Sequence, residues 1–255
     1  MSVLPVTRLS NSQIGMWLRC PKQWFYRYEK GLKIPPSGAM VQGSAYHGAL
    51  KEYFDHKIKT NTDLSLNDTM DAFDTYWADS QKGVYGDRGE EDSKMEIDWE
   101  SKDPGVLKDD AAVVVKKYHE RIAPNIWPLR TEGYAEKMIG DVKYLGYLDL
   151  ETPNEIVDHK LKSRNMPQGD ADRDIQPLSY ALLTGQKNFA FHVGVKKKIP
   201  EVNVVKVTKT DADILWWENA IIEVIRQMNT GIAPPNPTNW TCGPKYCGYY
   251  SICHK

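Results

Sequence analysis

The sequence has almost no net charge. Its 33 Lys and Arg stand against 34 Asp and Glu, which leaves −1 at pH 7. That excludes a molecule-wide field drawing in a polyanion, so any nucleic-acid binding must come from a local basic groove. Long apolar runs are also missing, and none approaches the roughly 20 residues a membrane-spanning helix needs. Residues 1–10 lack the basic end, apolar stretch and small-residue cleavage site of a secretory leader. These absences lead us to expect a cytoplasmic protein with no membrane partner. Cysteine is scarce, with four in all: Cys20, Cys242, Cys247 and Cys253. In a reducing compartment, four thiols point to metal ligation before they point to two disulfides. No repeat at solenoid periods is present.

What is present is an ordinary globular composition, 41% hydrophobic and 26% charged over 255 residues. That length fits one large domain spanning 1–255. The first part, 9–130, reads as helical. Ser10 and Gln13 have capping-box spacing ahead of a helix running toward Cys20. Pro21 suits the restart of a second helix ending near Gly31. Further helices are expected over 38–56, 65–82 and 107–123, with Val41, Tyr46, Leu50 and Phe54 on one side of the first. The polar, acidic stretch 83–108 reads as a flexible insertion. From 131 to 232 the period changes to that of strands, over 134–139, 142–151, 155–161, 189–195 and 202–207. A loop over 162–173 precedes a helix over 174–184, and a long amphipathic helix spans 210–230 before Gly231. Pro234, Pro235 and Pro237 then lead into a cysteine-rich tail over 233–255. Helices followed by a mixed sheet with helices inserted give an α/β fold.

The chemistry gathers at a hairpin, Gly146-Tyr-Leu-Asp149 turning through Thr152-Pro-Asn154 into Ile156-Val-Asp158-His-Lys160. Strand side chains alternate faces, so Asp158 and Lys160 point the same way, and Asp149 can join them across the turn. Two carboxylates and an ammonium among Val, Leu and Ile are costly without a purpose. A hard divalent cation such as Mg²⁺ would resolve that cost, leaving coordination places for water and a phosphate. An activated water beside a polarised phosphate makes hydrolysis possible, with Lys160 orienting the water or stabilising charge. The plainer reading is a surface hairpin of solvated charges, since Asp-x-Lys is a short pattern. His47, in Gly43-Ser-Ala-Tyr-His47, could ligate Mn²⁺ or Mg²⁺, or could be a satisfied core histidine. Gln176 and Tyr180 lie four apart on one helix face, placed to contact a DNA phosphate, to hold the lysine, or simply to pack.

Taken in order, these elements resemble the RecB-like family of PD-(D/E)XK nucleases. That family shows an N-terminal Gly-x(n)-His, a Gly-x-x-Asp strand, an Asp-x-Lys strand and a Gln-x-x-x-Tyr helix. Leu9-Ser-Asn-Ser and Cys20-Pro-Lys-Gln-Trp-Phe-Tyr-Arg-Tyr28 are similar to its opening, so the resemblance covers about residues 9–253. It implies a mixed sheet flanked by helices in a restriction-endonuclease-like core. It also implies that His47, Asp149, Asp158 and the backbone carbonyl of His159 bind Mg²⁺ or Mn²⁺. Lys160 would be the catalytic lysine, with Gln176 and Tyr180 completing the site. His159 is an uncommon residue between the Asp and the Lys; its side chain should face the other side of the strand and pack.

Four thiolates suit an iron–sulfur cluster or a zinc site. One lone cysteine with three clustered at the tail resembles the iron–sulfur branch of the family, which includes AddB-type subunits and CRISPR-associated exonucleases. The resemblance therefore implies a 4Fe–4S cluster on Cys20, Cys242, Cys247 and Cys253, stapling the tail to the first helix. DNA is the implied partner, with single strands or ends the implied substrate of an exonuclease, alongside a possible homo-oligomer or DNA-processing partner proteins. Lys162, Arg164, Arg173, Lys196, Lys197 and Lys198 could line a DNA groove or be a solvated charge run. Trp24, Phe25, Tyr26 and Tyr28 could stack on bases or pack around the cluster. The rival readings are a non-catalytic DNA-end-binding subunit and a redox-sensing iron–sulfur protein without nuclease activity.

Overall fold

The computed structural model describes residues 5–82 and 96–254. Strand β3 (Val142–Glu151) organises the sheet. Strand β2 (Arg130–Ile139) runs antiparallel along one of its edges. The other edge is shared. Strand β1 (Arg8–Ser10) pairs in parallel with 143–145, whereas β4 (Ile156–Lys162) pairs antiparallel only at Leu150↔Val157 and Glu151↔Ile156. Beyond β4 come β5 (Asn188–Val195), parallel, and β6 (Glu201–Thr208), antiparallel. The edge of β3 from Gly146 to Asp149 therefore has neither β1 nor β4 beside it.

The β3–β4 turn follows its chemistry. Thr152 Oγ1 donates to the Glu155 carbonyl at 2.7 Å and accepts from the Glu155 amide at 3.1 Å, which fixes a tight hairpin. Strand β4 is buried from Ile156 through His159, so a carboxylate and an imidazole occupy a run that sheets covered on both faces usually fill with Val and Ile.

Helices α3 (Gly38–Thr60), α4 (Leu66–Gln81) and α5 (Pro104–Arg121) cover one face. Val41, Tyr46, Leu50 and Phe54 point inward as their spacing predicts, and pack with Tyr118, Leu150, Val157 and Ala190. The opposite face is covered by α1 (Asn11–Arg19), α7 (Ile175–Thr184) and α8 (Asp211–Asn229), around Leu9, Trp17, Tyr144, Leu178 and Trp217. Ser179 is the polar node of this core. Its hydroxyl meets Tyr144 Oη at 2.7 Å, Trp217 Nε1 at 3.1 Å and Asn11 Oδ1 at 2.7 Å, so neither buried aromatic polar group is left unpaired.

Several expectations need correction. The helical first part contains β1, three residues too short to show a period of two. Strand β2 begins at Arg130, four residues before the alternating run. Helix α5 begins at Pro104 behind the Asp103 cap, inside the stretch expected to be a loose insertion. Of that stretch, 83–95 lies outside the described residues. Asp98, however, bridges to Ser37, and Trp99 packs on Trp77 with ring centroids 6.2 Å apart. The loop expected over 162–173 holds helix α6 (Gln168–Arg173), whose Ala171 is fully buried. Helix α2 (Pro21–Trp24) continues as a π-helical turn over Phe25–Glu29. The tail ends in α9 (Tyr250–Cys253), a single turn.

Candidate active site

The gap in the β3 edge is where the polar groups meet. With no β4 partner opposite, Asp149 itself completes the pairing, and its Oδ2 accepts the His159 amide at 2.8 Å. In an antiparallel pair the N–H and C=O of one residue point to the same edge. The His159 carbonyl therefore also points into this gap. Tyr180 Oη donates to the Tyr147 carbonyl at 2.7 Å. Tyr180 is thus buried, braces β3 and stacks on Phe189 at 5.9 Å. Gly146 permits that brace, since a Cβ there would sit 3.0 Å from the Tyr180 ring.

Helix α3 brings His47 Nδ1 to 3.3 Å from Asp149 Oδ2, with the imidazole side chain one-third exposed. From β4, Lys160 Nζ lies 2.7 Å from Asp158 Oδ2, a contact of opposite charges without hydrogen-bond alignment. Gln176, on α7, clasps both ends of that pair. Its Nε2 donates to Asp158 Oδ1 at 2.8 Å and its Oε1 accepts from Lys160 Nζ at 2.5 Å. His47, Asp149, Asp158, Lys160 and Gln176 are therefore brought together from four different elements.

The pKa values of the two carboxylates are shifted in opposite directions. Burial pushes Asp158 up to about 6, helped by the charge of Asp149 and opposed by Lys160. Burial also works against the Asp149 carboxylate, but His47, His159 and Lys160 outweigh it and hold this group below its ordinary range. Burial pulls His47 and Lys160 down, while Asp149 and Asp158 respectively bring the net shift of each above the ordinary value. Among the described residues, no set of three or more His, Cys, Asp or Glu groups stands closed around a metal position. The donor types nevertheless suit a hard cation, with one buried and one partly buried carboxylate, one imidazole and one backbone carbonyl facing a common gap.

Sequence reasoning missed two features. Behind the site, Tyr118 Oη bonds His159 Nε2 at 3.0 Å and His192 Nδ1 at 2.8 Å, so one buried phenol, with a single proton to donate, links the tautomers of two imidazoles. His159 packs as expected, stacked on Phe54, yet its Nδ1 also lies 4.0 Å from Asp149 Oδ2. The second feature is Glu132. It is the one position where the β2–β3 ladder is interrupted, directly opposite Asp149, and its φ is +45°. A strand run read from Arg130 would have placed this carboxylate across from Asp149.

The profile of the PD-(D/E)XK nuclease superfamily matches residues 8–254. The chain belongs to that superfamily. Nucleases of the superfamily typically use Mg²⁺ or Mn²⁺. The fold resembles a crystal structure from Eubacterium rectale, named as a candidate exonuclease, with TM-score 0.60 and 15% identity, over 90% of this chain and 84% of that one. SSO0001 is a more distant likeness, at TM-score 0.46 and 13% identity over 98% of this chain and 88% of that one. No curated protein matches the sequence. In this PD-(D/E)XK chain, no described helix is long and apolar enough to cross a membrane.

All four cysteines line one cavity at the junction of α1, α2 and the tail, together with Gln23, Tyr26 and Tyr249. Cys20 sits in extended backbone between the two helices. Gln23 Nε2 donates to Cys247 Sγ at 3.2 Å. Of the aromatic opening residues, Trp24 is buried edge-on to Trp17 at 5.3 Å and Tyr26 lies 5.6 Å from Tyr249, whereas Tyr28 is exposed. The basic run is partly spent on local pairs, Lys197 with Glu201 at 2.8 Å and Arg173 with Asp170 at 3.0 Å. Lys196 bonds Gln42.

Proposed function

We propose that this PD-(D/E)XK chain is a metal-dependent deoxyribonuclease of the RecB-like iron–sulfur branch, hydrolysing single-stranded DNA from an end. The observation that carries the reading is the convergence of His47, Asp149, Asp158, Lys160 and Gln176 on one gap in the sheet edge. His47, Asp149, Asp158 and the His159 carbonyl would hold Mg²⁺ or Mn²⁺. When bound, such an ion lowers the pKa of a water and offsets negative charge on the phosphate under attack. Gln176 holds the Lys160 ammonium in a fixed direction, so its charge needs no reorganisation as the phosphate becomes more negative. Tyr180 keeps β3, and with it Asp149, in register. The Cys20, Cys242, Cys247 and Cys253 cavity supports a 4Fe–4S cluster because its sulfur donors come together there from the two ends of the chain.

The test is cleavage of single- and double-stranded DNA, labelled separately at each end, with Mg²⁺ or Mn²⁺ and with EDTA as control. Single strands are expected to shorten from one end, and Lys160→Ala should lower the rate by about 10²–10³-fold. A Lys160→Ala variant that cuts as well as the parent would overturn the assigned site. Binding without cleavage under either metal would instead favour a DNA-end-binding subunit. Anaerobically purified protein should be brown, with absorbance near ~400 nm. A colourless, iron-free and fully active preparation removes the cluster.

A further inference from the structure

On β3, the layer of helices α3, α4 and α5 packs around Leu150. In-register partners point to the same side, which places Tyr134 with Tyr147 and Arg8 with Lys143 on one face of the sheet, around the buried Leu145. The buried neighbours Leu9 and Tyr144 belong to the opposite face. Thr7, Arg8, Tyr134, Lys143 and Tyr147 line a shallow trough there. The two tyrosine rings lie 5.3 Å apart, inclined at 54°, and Tyr134 is 42% exposed. Glu136 anchors both kinds of group: it accepts from the Tyr134 hydroxyl and pairs with Lys143 at 3.1 Å. Tyr147 lies two residues before Asp149 on the same strand, about 6.7 Å away at strand rise.

We propose that this trough is the single-strand platform of the site. Bases flanking the scissile phosphate stack on Tyr134 and Tyr147, while Arg8 and Lys143 take the backbone phosphates. The proposal rests on the nuclease reading and adds its substrate class and contacts. Aromatic faces interleaved with cations are the chemistry that recognises unstacked nucleotides without regard to sequence. A duplex keeps its bases inside the stack and offers the rings nothing to cover.

The experiment is fluorescence anisotropy with the full chain in EDTA, using labelled oligo(dT) and a duplex of equal length. Tyr134→Ala and Tyr147→Ala should each weaken oligo(dT) binding by about 5- to 100-fold, with Tyr→Phe at either position staying close to the parent. Arg8→Ala should reduce the slope of log affinity against log salt by about 0.7. Thermal melting by circular dichroism checks that the alanine variants are folded. If either is not, the surface pair Arg8→Glu and Lys143→Glu carries the test, with loss of oligo(dT) binding expected. Parent-like affinity in folded alanine variants, or in the charge-reversed pair, overturns the platform. So does tighter binding of the duplex through the same tyrosines. Tyrosine-dependent binding with no cleavage in Mg²⁺ or Mn²⁺ keeps the platform and removes the nuclease reading. Cleavage of single strands by tyrosine variants of unchanged affinity does the reverse.

Discussion

Asp149 and Asp158 meet at the same gap, yet the protein treats their charges in opposite ways, and this difference is measurable. Asp158 is 3% exposed, with a pKa pushed by burial to about 6 against about 3.9 in an unfolded chain. Folding therefore takes up a proton between about pH 4 and pH 6. The stability tied to Asp158 is full below pH 4 and is lost as pH rises through 6. Asn imitates the protonated acid. In EDTA at pH 8, Asp158→Asn should be more stable than the parent by about 1–3 kcal/mol, and the difference should vanish below pH 4. Asp149 has the opposite sign, because its held-down carboxylate contributes stability that disappears as pH falls through the acid range. Asp149→Asn should therefore destabilise at pH 7. Urea unfolding across pH checks both. An Asp158→Asn variant less stable than the parent at pH 8 would mean that the Lys160 contact outweighs burial. A stabilising substitution at the cost of activity is the usual sign of a site selected for chemistry and not for stability.

At the scale of elements, the site depends on two close approaches made possible by glycine. At Gly146, α7 comes near enough for Tyr180 to brace β3. At Gly48, next to His47, a Cβ would fall 2.2–2.5 Å from three ring atoms of Tyr76, whose hydroxyl reaches Glu52 at 3.0 Å. Ala in place of Gly favours a helix by about 1 kcal/mol, but overpacking a rigid ring costs about 1–3 kcal/mol. Gly48→Ala should thus lower stability by up to roughly 2 kcal/mol net and displace His47, reducing cleavage more at low Mg²⁺ than at saturating Mg²⁺. An equal loss at all metal concentrations would place the damage elsewhere. The sequence made α3, α7, α8 and the hairpin legible, because long amphipathic periods and a Thr-Pro-Asn turn are local signals. It also showed Asp149, Asp158, Lys160, Gln176 and His47 as candidates, through motif order. It did not show β1, α6, the Tyr118–His192 pair or the kink at Glu132. Each of these is set by partners distant in sequence, and a three-residue strand or a six-residue helix has too little pattern to be read alone.

Across the whole molecule, the two ends of the chain are tied at several points, and these ties do not depend on the nuclease gap. Asn236 Nδ2 donates to the Arg19 carbonyl at 3.0 Å, the Val6 amide to Asn229 Oδ1 at 3.0 Å, and Tyr249 Oη to the Leu32 carbonyl at 2.8 Å. These bonds are individually modest, about 0.5–1.5 kcal/mol each, and two of the three are exposed. A cluster bridging Cys20 to Cys242 would close a loop of most of the chain, a constraint of about 5 kcal/mol in the entropic model. The two cases separate cleanly. If the proposed cluster is present, Cys20→Ser should lose iron, drop in stability by about 2–5 kcal/mol and expose 233–254 to proteolysis while the sheet core stays protected. If the thiols are free, the same substitution replaces one small, 8%-exposed thiol by a hydroxyl and should cost less than about 1 kcal/mol, with no change in the cleavage pattern. Limited proteolysis with iron analysis on the same sample distinguishes them. Because α1 lies between the cysteine cavity and Ser179, and Ser179 lies on α7 with Gln176, loss of the staple should also loosen the clasp on Lys160. DNA cleavage should then fall in Cys20→Ser even though no cysteine touches the reacting phosphate.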